Sequence, residues 1–195
     1  MSRIYKKKTE IDVKKTHEFF ECRGKNVNLE HPITSILYQD ENPSLAIERD
    51  NYEKNTAKPL LNLTINDDVL DVGCGIGRWS EVANYVNSYH GVDFSQSLID
   101  LALSEDNASN VTFQKLAAED INPTCIASIT EFSRVIIAGL LIYLNDDSVT
   151  RCLSGINKCC RKDALIYMRE PVAIAERLTL KEVWSDGLSS ASSAR

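Results

Sequence analysis

The sequence predicts an α/β protein built on a doubly wound, mostly parallel sheet. Three observations carry that expectation. Residues 67–170 alternate short apolar strands with helical patterns. The first strand runs into a glycine-rich turn, "VLDVGCGIGRW" at residues 69–79. The second strand ends on an acid, Asp93, in "GVDFSQSLI". Strands separated by helices of this length imply βαβ units with right-handed crossovers and helices on both faces of the sheet.

The elements follow in chain order. Residues 1–60 form an N-terminal helical segment. Its first helix is expected from about Ile11 to Cys22, where apolar residues recur at a loose helical period. A second helix starts at Asn42-Pro43, with Asn as N-cap and Pro in the first turn, and carries Leu45, Ile47 and Tyr52 towards Leu60-Leu61. Residues 61–170 hold the sheet. "DVLDVG" is a buried strand, and "RWSEVANYV" is an amphipathic helix with Trp79, Val82, Ala83 and Val86 on one face. "YHGVDF" is the second strand, and Ser95 caps the helix "SQSLIDLALSE". "NVTFQKL" and "RVIIAGLL" are the third and fourth strands; consecutive Val135, Ile136 and Ile137 read as buried on both faces. "DDSVTRCLSGINKCC" is a helix capped by Asp146 or Asp147, and "DALIYMREP" is the fifth strand. In residues 171–195, "VAIAERLTLKEVW" is expected to be one more helix, and the serine-rich tail to be disordered.

Bulk properties narrow the class. The chain has 195 residues, 43% hydrophobic and 26% charged, with a net charge of −6 and a pI near 5.1. An acidic balance disfavours a nucleic-acid or anionic-membrane binder, and the short run Lys6-Lys7-Lys8 reads as a solvated terminus. The six cysteines form no CxxC pair, and with three histidines they offer no metal-site spacing. No apolar run approaches the roughly 20 residues of a membrane span, and no signal peptide is seen. A cytoplasmic protein with reduced, structural thiols is the expectation.

The glycine turn carries the functional argument. In a parallel sheet, ligands bind beyond the carboxyl ends of the strands where chain order reverses. The spacing Gly73-x-Gly75-x-Gly77 is not the G-x-G-x-x-G of dinucleotide sites, and no Gly-Lys-Ser/Thr follows. Asp71 lies inside the motif, where a carboxylate would repel a pyrophosphate and suit a cationic ligand. Asp93, at the next strand's end, is placed to accept hydrogen bonds from ribose hydroxyls. S-adenosyl-L-methionine fits a ligand with a ribose, a positive charge and no pyrophosphate.

"VLDVGCGIGRW" followed by "GVDFSQSLI" resembles the class I S-adenosylmethionine-dependent methyltransferases, over about residues 55–170. The resemblance implies a Rossmann-like methyltransferase fold and S-adenosyl-L-methionine as cofactor. It implies that Asp71, Gly73, Cys74 and Gly75 surround the methionine part, with Cys74 a small filler and not a nucleophile. Gly77 permits close packing of the first helix, Asp93 holds the ribose, and Phe94 lies near the adenine. After the third strand, an adenine-binding acid of the family falls by spacing on Ala117; Glu119 or Asp120 substitutes, or the backbone at Ala117-Ala118 serves. Ala138 and Gly139 would let the cofactor approach, and the N-terminal segment would cover the cleft as a lid.

The candidate catalytic residues are Tyr143, Glu170 and His31. Tyr143 follows the fourth strand, Glu170 ends the fifth beside Arg169, and His31 lies in the lid with His17. Each also has an ordinary structural reading: a satisfied core tyrosine, a salt bridge, a structural histidine. His90 lies within a strand. Tyr38, Asp40, Arg49 and Tyr52 are further candidate contacts. No NPPY-type stretch follows the fourth strand, where "AGLLIY" stands, so the acceptor is expected to be a small molecule, such as a sugar or secondary metabolite, methylated on O or N. The family's closing antiparallel strand pair is not visible, which would leave an exposed sheet edge that a homodimer could cover. A truncated, non-catalytic scaffold is therefore the alternative reading, and a nicotinamide-dependent oxidoreductase a remoter one.

Overall fold

The computed structural model describes residues 4–5, 10–38, 41–127, 131–171 and 179–180. The described elements are β1 (Ile4–Tyr5), α1 (Val13–Lys25), α2 (Thr34–Leu37), α3 (Pro43–Leu61), β2 (Asp68–Val72), β3 (Ser88–Asp93), α4 (Gln96–Ser104), β4 (Val111–Lys115), β5 (Phe132–Ala138), α5 (Asp146–Cys159), β6 (Cys160–Arg169) and β7 (Thr179–Leu180). Short 3-10 turns lie at Ser80–Tyr85, Ala118–Asp120 and Leu141–Tyr143. Strands β2 to β6 form one parallel sheet in the order β4-β3-β2-β5-β6, as the strand–helix alternation requires. The chain winds outwards from β2 to β4, then returns to the other side at β5. Order reverses between β2 and β5, so the turn after β2 opens at the switch point.

Alternation along the strands sorts the core into two layers. Leu70, Val72, Val92, Val135 and Ile137 pack against Cys152 and Ile156 of α5. Val69, Tyr89 and Ile136 pack on the opposite side against Trp79, Val82 and the α3 residues Ala57 and Leu61. Asp71 shares the Val69 face, so this carboxylate points into the layer that α3 covers. At Gly155 an added Cβ would stand 1.9 Å from the Ile121 carbonyl oxygen, so glycine sets how closely α5 approaches.

Several expectations are sharpened or corrected. Asn42 caps α3 by accepting from Leu45 N–H, and Ser95 caps α4 by accepting from Leu98 N–H, as predicted. Residues 80–85 bury the predicted apolar face but wind as a 3-10 turn. Only a few residues separate the glycine turn from β3, and a rise of about 2.0 Å per residue covers more length than the 1.5 Å of an α-helix. The N-cap of α5 is Asn145, not an aspartate. Its Oδ1 accepts from Ile11 N–H at 2.7 Å while its Nδ2 donates to Ile11 C=O, so it clasps the N-terminal segment. Asp146 and Asp147 instead fill the first turn, where acids complement the helix dipole. Thr179–Leu180, inside the stretch expected to be helical, pairs antiparallel with Ile4–Tyr5. The rest of that stretch and the serine-rich tail lie outside the described residues.

Candidate functional site

The site is built where β2, β3, β5 and β6 end. Gly73 and Cys74 both donate their N–H to Val92 C=O, at 2.8 and 3.0 Å, which folds the glycine turn back over the end of β3. Gly73 and Gly75 have φ of +73° and +57°, a backbone that other residues rarely adopt. An added Cβ at Gly73 would press on Leu140, and one at Gly75 on Ile36, each at 3.0 Å. The turn is therefore a bare-backbone cradle between the chain after β5 and the segment carrying α2.

Asp93 is clamped beside that cradle. Its Oδ2 accepts from Gly75 N–H at 3.0 Å and its Oδ1 from Ser95 N–H at 2.9 Å. The Phe94 N–H also bonds this carboxylate, which with about four acceptor positions retains one for a further donor. Burial pushes the Asp93 carboxyl up to about 6 against the lowering effect of these bonds. Asp71 is also buried; Tyr89 O–H donates to its Oδ2, and burial again pushes it up to about 6. Burial raises the Cys74 thiol well above its usual range, which fits a packing role and not a nucleophile.

The N-terminal segment closes over these groups. His17 stacks face to face on Phe94, with ring centroids 4.2 Å apart. Phe20 meets Phe94 and Tyr143 edge-on, and Tyr38 is hydrogen-bonded to Tyr143. Burial raises both tyrosine hydroxyls. Glu21 accepts from Ser95 O–H and Ser97 N–H at the start of α4. Buried Arg23 donates to the carbonyls of Thr34 and Ser35 and lies over the Tyr38 ring, locking α1 to α2.

At the end of β6, Glu170 Oε1 accepts from Leu140 N–H and Leu141 N–H at 2.8 and 2.9 Å. Its Oε2 is buried with no hydrogen-bond partner. Arg169 donates to Glu53 of α3 through Nε and Nη2. Glu53 also accepts from Arg78, whose other nitrogen donates to Asp50 at 2.7 Å. Burial alone would raise the Glu53 carboxyl, yet the Arg169 bonds and the Arg78 charge hold it below its ordinary value. Sequence reasoning missed this ionic network; its only signal is the i, i+3, i+4 spacing of Asp50, Glu53 and Lys54 on one helix face.

The structure thus gathers Asp71, Gly73, Cys74, Gly75, Asp93, Phe94, Gly139, Tyr143, Glu170 and Tyr38 at one end of the sheet. Gly77 packs under Phe113, and Ala138 ends β5 in the core layer beneath. Ala118 is buried in the α5 layer, and Glu119 accepts from Ser148, so this pair faces α5. His31 contributes its carbonyl to the turn that enters α2, with no side-chain link to Tyr143 or Glu170. His90 lies against Thr112 and Gln114, and burial lowers its pKa. Tyr52 projects outwards from α3, Arg49 is exposed, and Asp40 lies outside the described residues. Among the described residues no helix is long and apolar enough to cross a membrane.

The donor set fits the group that the sequence implies. A turn of glycine backbone that a ligand can approach closely, with the carboxylates of Asp71 and Asp93 beside it, suits a ribose and a cationic methionine. The nearby cation Arg78 is already engaged by Asp50 and Glu53 and is not offered to a pyrophosphate.

Comparison with known proteins agrees. Residues 69–163 match the family Methyltransf_25, a methyltransferase domain. Phosphoethanolamine N-methyltransferase 1 of Triticum aestivum is 26% identical over 164 residues, which cover 83% of this chain and 31% of that protein. Phosphoethanolamine N-methyltransferase 1 of Haemonchus contortus, solved with phosphoethanolamine and S-adenosylhomocysteine, superposes with a TM-score of 0.69 at 20% identity, covering 86% of this chain and 34% of that one. DhpI, solved as a complex with SAM and HEP, gives a TM-score of 0.57 at 19% identity, covering 82% of this chain and 66% of that one. The chain spans about a third of the length of the two phosphoethanolamine methyltransferases. Sequence match, sheet order and the glycine cradle agree: residues 69–163 are similar to a methyltransferase domain, and the chain has the fold of the solved methyltransferases it superposes on.

Proposed function

We propose that this protein transfers a methyl group from S-adenosyl-L-methionine to a small-molecule nitrogen or oxygen. The observation that carries the reading is Asp93, held at the end of β3 by the backbone N–H groups of Gly75, Phe94 and Ser95 with acceptor capacity to spare. In this reading Asp93 takes the ribose hydroxyls, and the backbone at Gly73, Cys74 and Gly75, with Asp71 behind it, surrounds the methionine part. Gly77 lets the turn pack tightly, and Phe94 borders the adenine beside Ala118 and Glu119. Ala138 and Gly139 leave room where the methyl is presented. S-adenosyl-L-methionine supplies an electrophilic methyl on a cationic sulfur. The chain's part is to orient it, to exclude water and to hold the acceptor in line. The stacked His17, Phe20 and Tyr38 make α1 and α2 a cover over the site, which must shift to admit ligands.

The phosphoethanolamine enzymes among the relatives support a small amine as acceptor over a sugar or secondary metabolite. Six free thiols among the described residues are in keeping with a cytoplasmic site of action. The test is calorimetric titration with S-adenosyl-L-methionine and S-adenosylhomocysteine. We expect one site per chain, and a loss of at least tenfold in affinity in Asp93→Ala at unchanged melting temperature. Unaltered binding in that variant would remove Asp93 from the site, and no binding by the parent protein would remove the cofactor.

A further inference from the structure

Glu170 is the one residue at the mouth of the site whose two oxygens have opposite fates. Oε1 is saturated by the consecutive N–H groups of Leu140 and Leu141, which fixes the carboxylate on the turn after β5. Oε2 is shut away from water and accepts nothing. A buried acceptor left without a donor is costly, most of all on a carboxylate, and at the mouth of a site an incoming ligand can supply that donor. Leu140, the residue that Oε1 holds, is also the one packed on the bare backbone of Gly73. The orphan oxygen is thereby anchored to the wall of the cradle.

The surroundings indicate which donor completes it. Tyr143 lies within electrostatic reach of Glu170, and the rings of Phe20, Tyr38 and Tyr143 pack together on that side. Aromatic faces beside a carboxylate attract a cation with N–H groups and give a second carboxylate or a phosphate oxygen nothing to bond. Arg169, the adjacent cation, lies against Gly139 and is held by Glu53.

We infer that Glu170 Oε2 is the acceptor-facing catalytic group, which receives the N–H hydrogen of an amine substrate; this rests on the methyl-transfer reading above. The amine nitrogen donates its lone pair to form the new N–C bond, while the methyl–sulfur bond breaks and leaves its electron pair on sulfur. The nitrogen lone pair is freed when the bound ammonium gives one N–H proton to Glu170 Oε2, so the methylated amine leaves as an ammonium and the carboxyl is left protonated. General-base help of this kind contributes about 10²–10⁴ in rate.

Glu170→Gln separates this role from a structural one. The glutamine oxygen still braces Leu140 and Leu141, while Oε2 becomes an N–H₂ donor. The probe is sinefungin, which presents an amine where S-adenosyl-L-methionine presents its methyl, read against S-adenosylhomocysteine, which presents nothing there. Calorimetry should show the parent protein binding sinefungin about tenfold or more tighter than S-adenosylhomocysteine. In Glu170→Gln that preference should vanish at unchanged S-adenosylhomocysteine affinity and melting temperature. A preference that survives in Glu170→Gln, or a parent protein that shows none, overturns the assignment. Failure of S-adenosylhomocysteine to bind the parent protein overturns the cofactor reading beneath it.

Discussion

Buried charge is the residue-scale theme of this molecule. Asp50, Glu53 and Arg78 have side chains only 7%, 12% and 6% exposed, and each takes part in at least one ion pair. Burying a pair is close to neutral against a well-packed apolar alternative, whereas removing one partner strands the other. Arg78→Met should therefore cost roughly 3–5 kcal/mol in chemical denaturation. Combining it with Asp50→Asn and Glu53→Gln should restore part of that loss, because Lys54 keeps Glu81 while Arg169 loses its partner Glu53. A loss of under about 1 kcal/mol in the single variant would mean that water reaches the two carboxylates.

At the scale of elements, the cover is joined to the sheet by a few close contacts. At Gly24 an added Cβ would lie 2.2 Å from Ser97 Oγ and 2.9 Å from the Ser97 carbonyl carbon, so only glycine lets α1 meet the start of α4. Gly24→Ala should lift α1 without disturbing the sheet. Hydrogen exchange should quicken in residues 13–25, while β2, β3 and β5 keep their protection. Uniform loss of protection would show that the cover and the sheet unfold together. How legible each element was in the sequence follows the same division. The strands, α4 and α5 could be read because apolar period and cap residues act locally. The start of α3 was legible from Asn42-Pro43, but its docking face was not. It is seated by Ala46, Ala57 and Leu61 together with charged residues whose partners lie 25 to 116 positions away, and the exposed Tyr52 points the other way. The cradle and Asp93 were legible because one turn and one strand end fix them. The stack of His17 on Phe94 and the clasp of Asn145 on Ile11 were not, since each joins distant segments with no local signature.

For the whole molecule, the buried carboxylates set the dependence of stability on pH. Asp71 and Asp93 titrate near 6 when folded, against 3.8 for an ordinary aspartate. The folded state therefore binds more protons between about 4 and 6, and both groups cost stability above about pH 6, a cost relieved as pH falls towards 4. Glu21, Glu53, Asp67 and Glu81 act in the opposite sense: their lowered folded values give stability that is present at neutral pH and lost as pH falls through them. His90, lowered by burial, also withdraws stability below about 6.5. The contribution of Asp71 is isolated by Asp71→Asn, which keeps an oxygen to accept from Tyr89 O–H and removes the buried charge. A shift of about two pKa units corresponds to roughly 2–3 kcal/mol. Urea unfolding should show Asp71→Asn more stable than the parent protein by about that amount at pH 7.5, with the difference shrinking through pH 6 and gone near pH 4. A variant less stable at every pH would show that Arg78 compensates the charge through Tyr89 and the α3 layer. In that event Asp71 would belong to the ionic network of Asp50 and Glu53, and the cradle would rest on Asp93 alone.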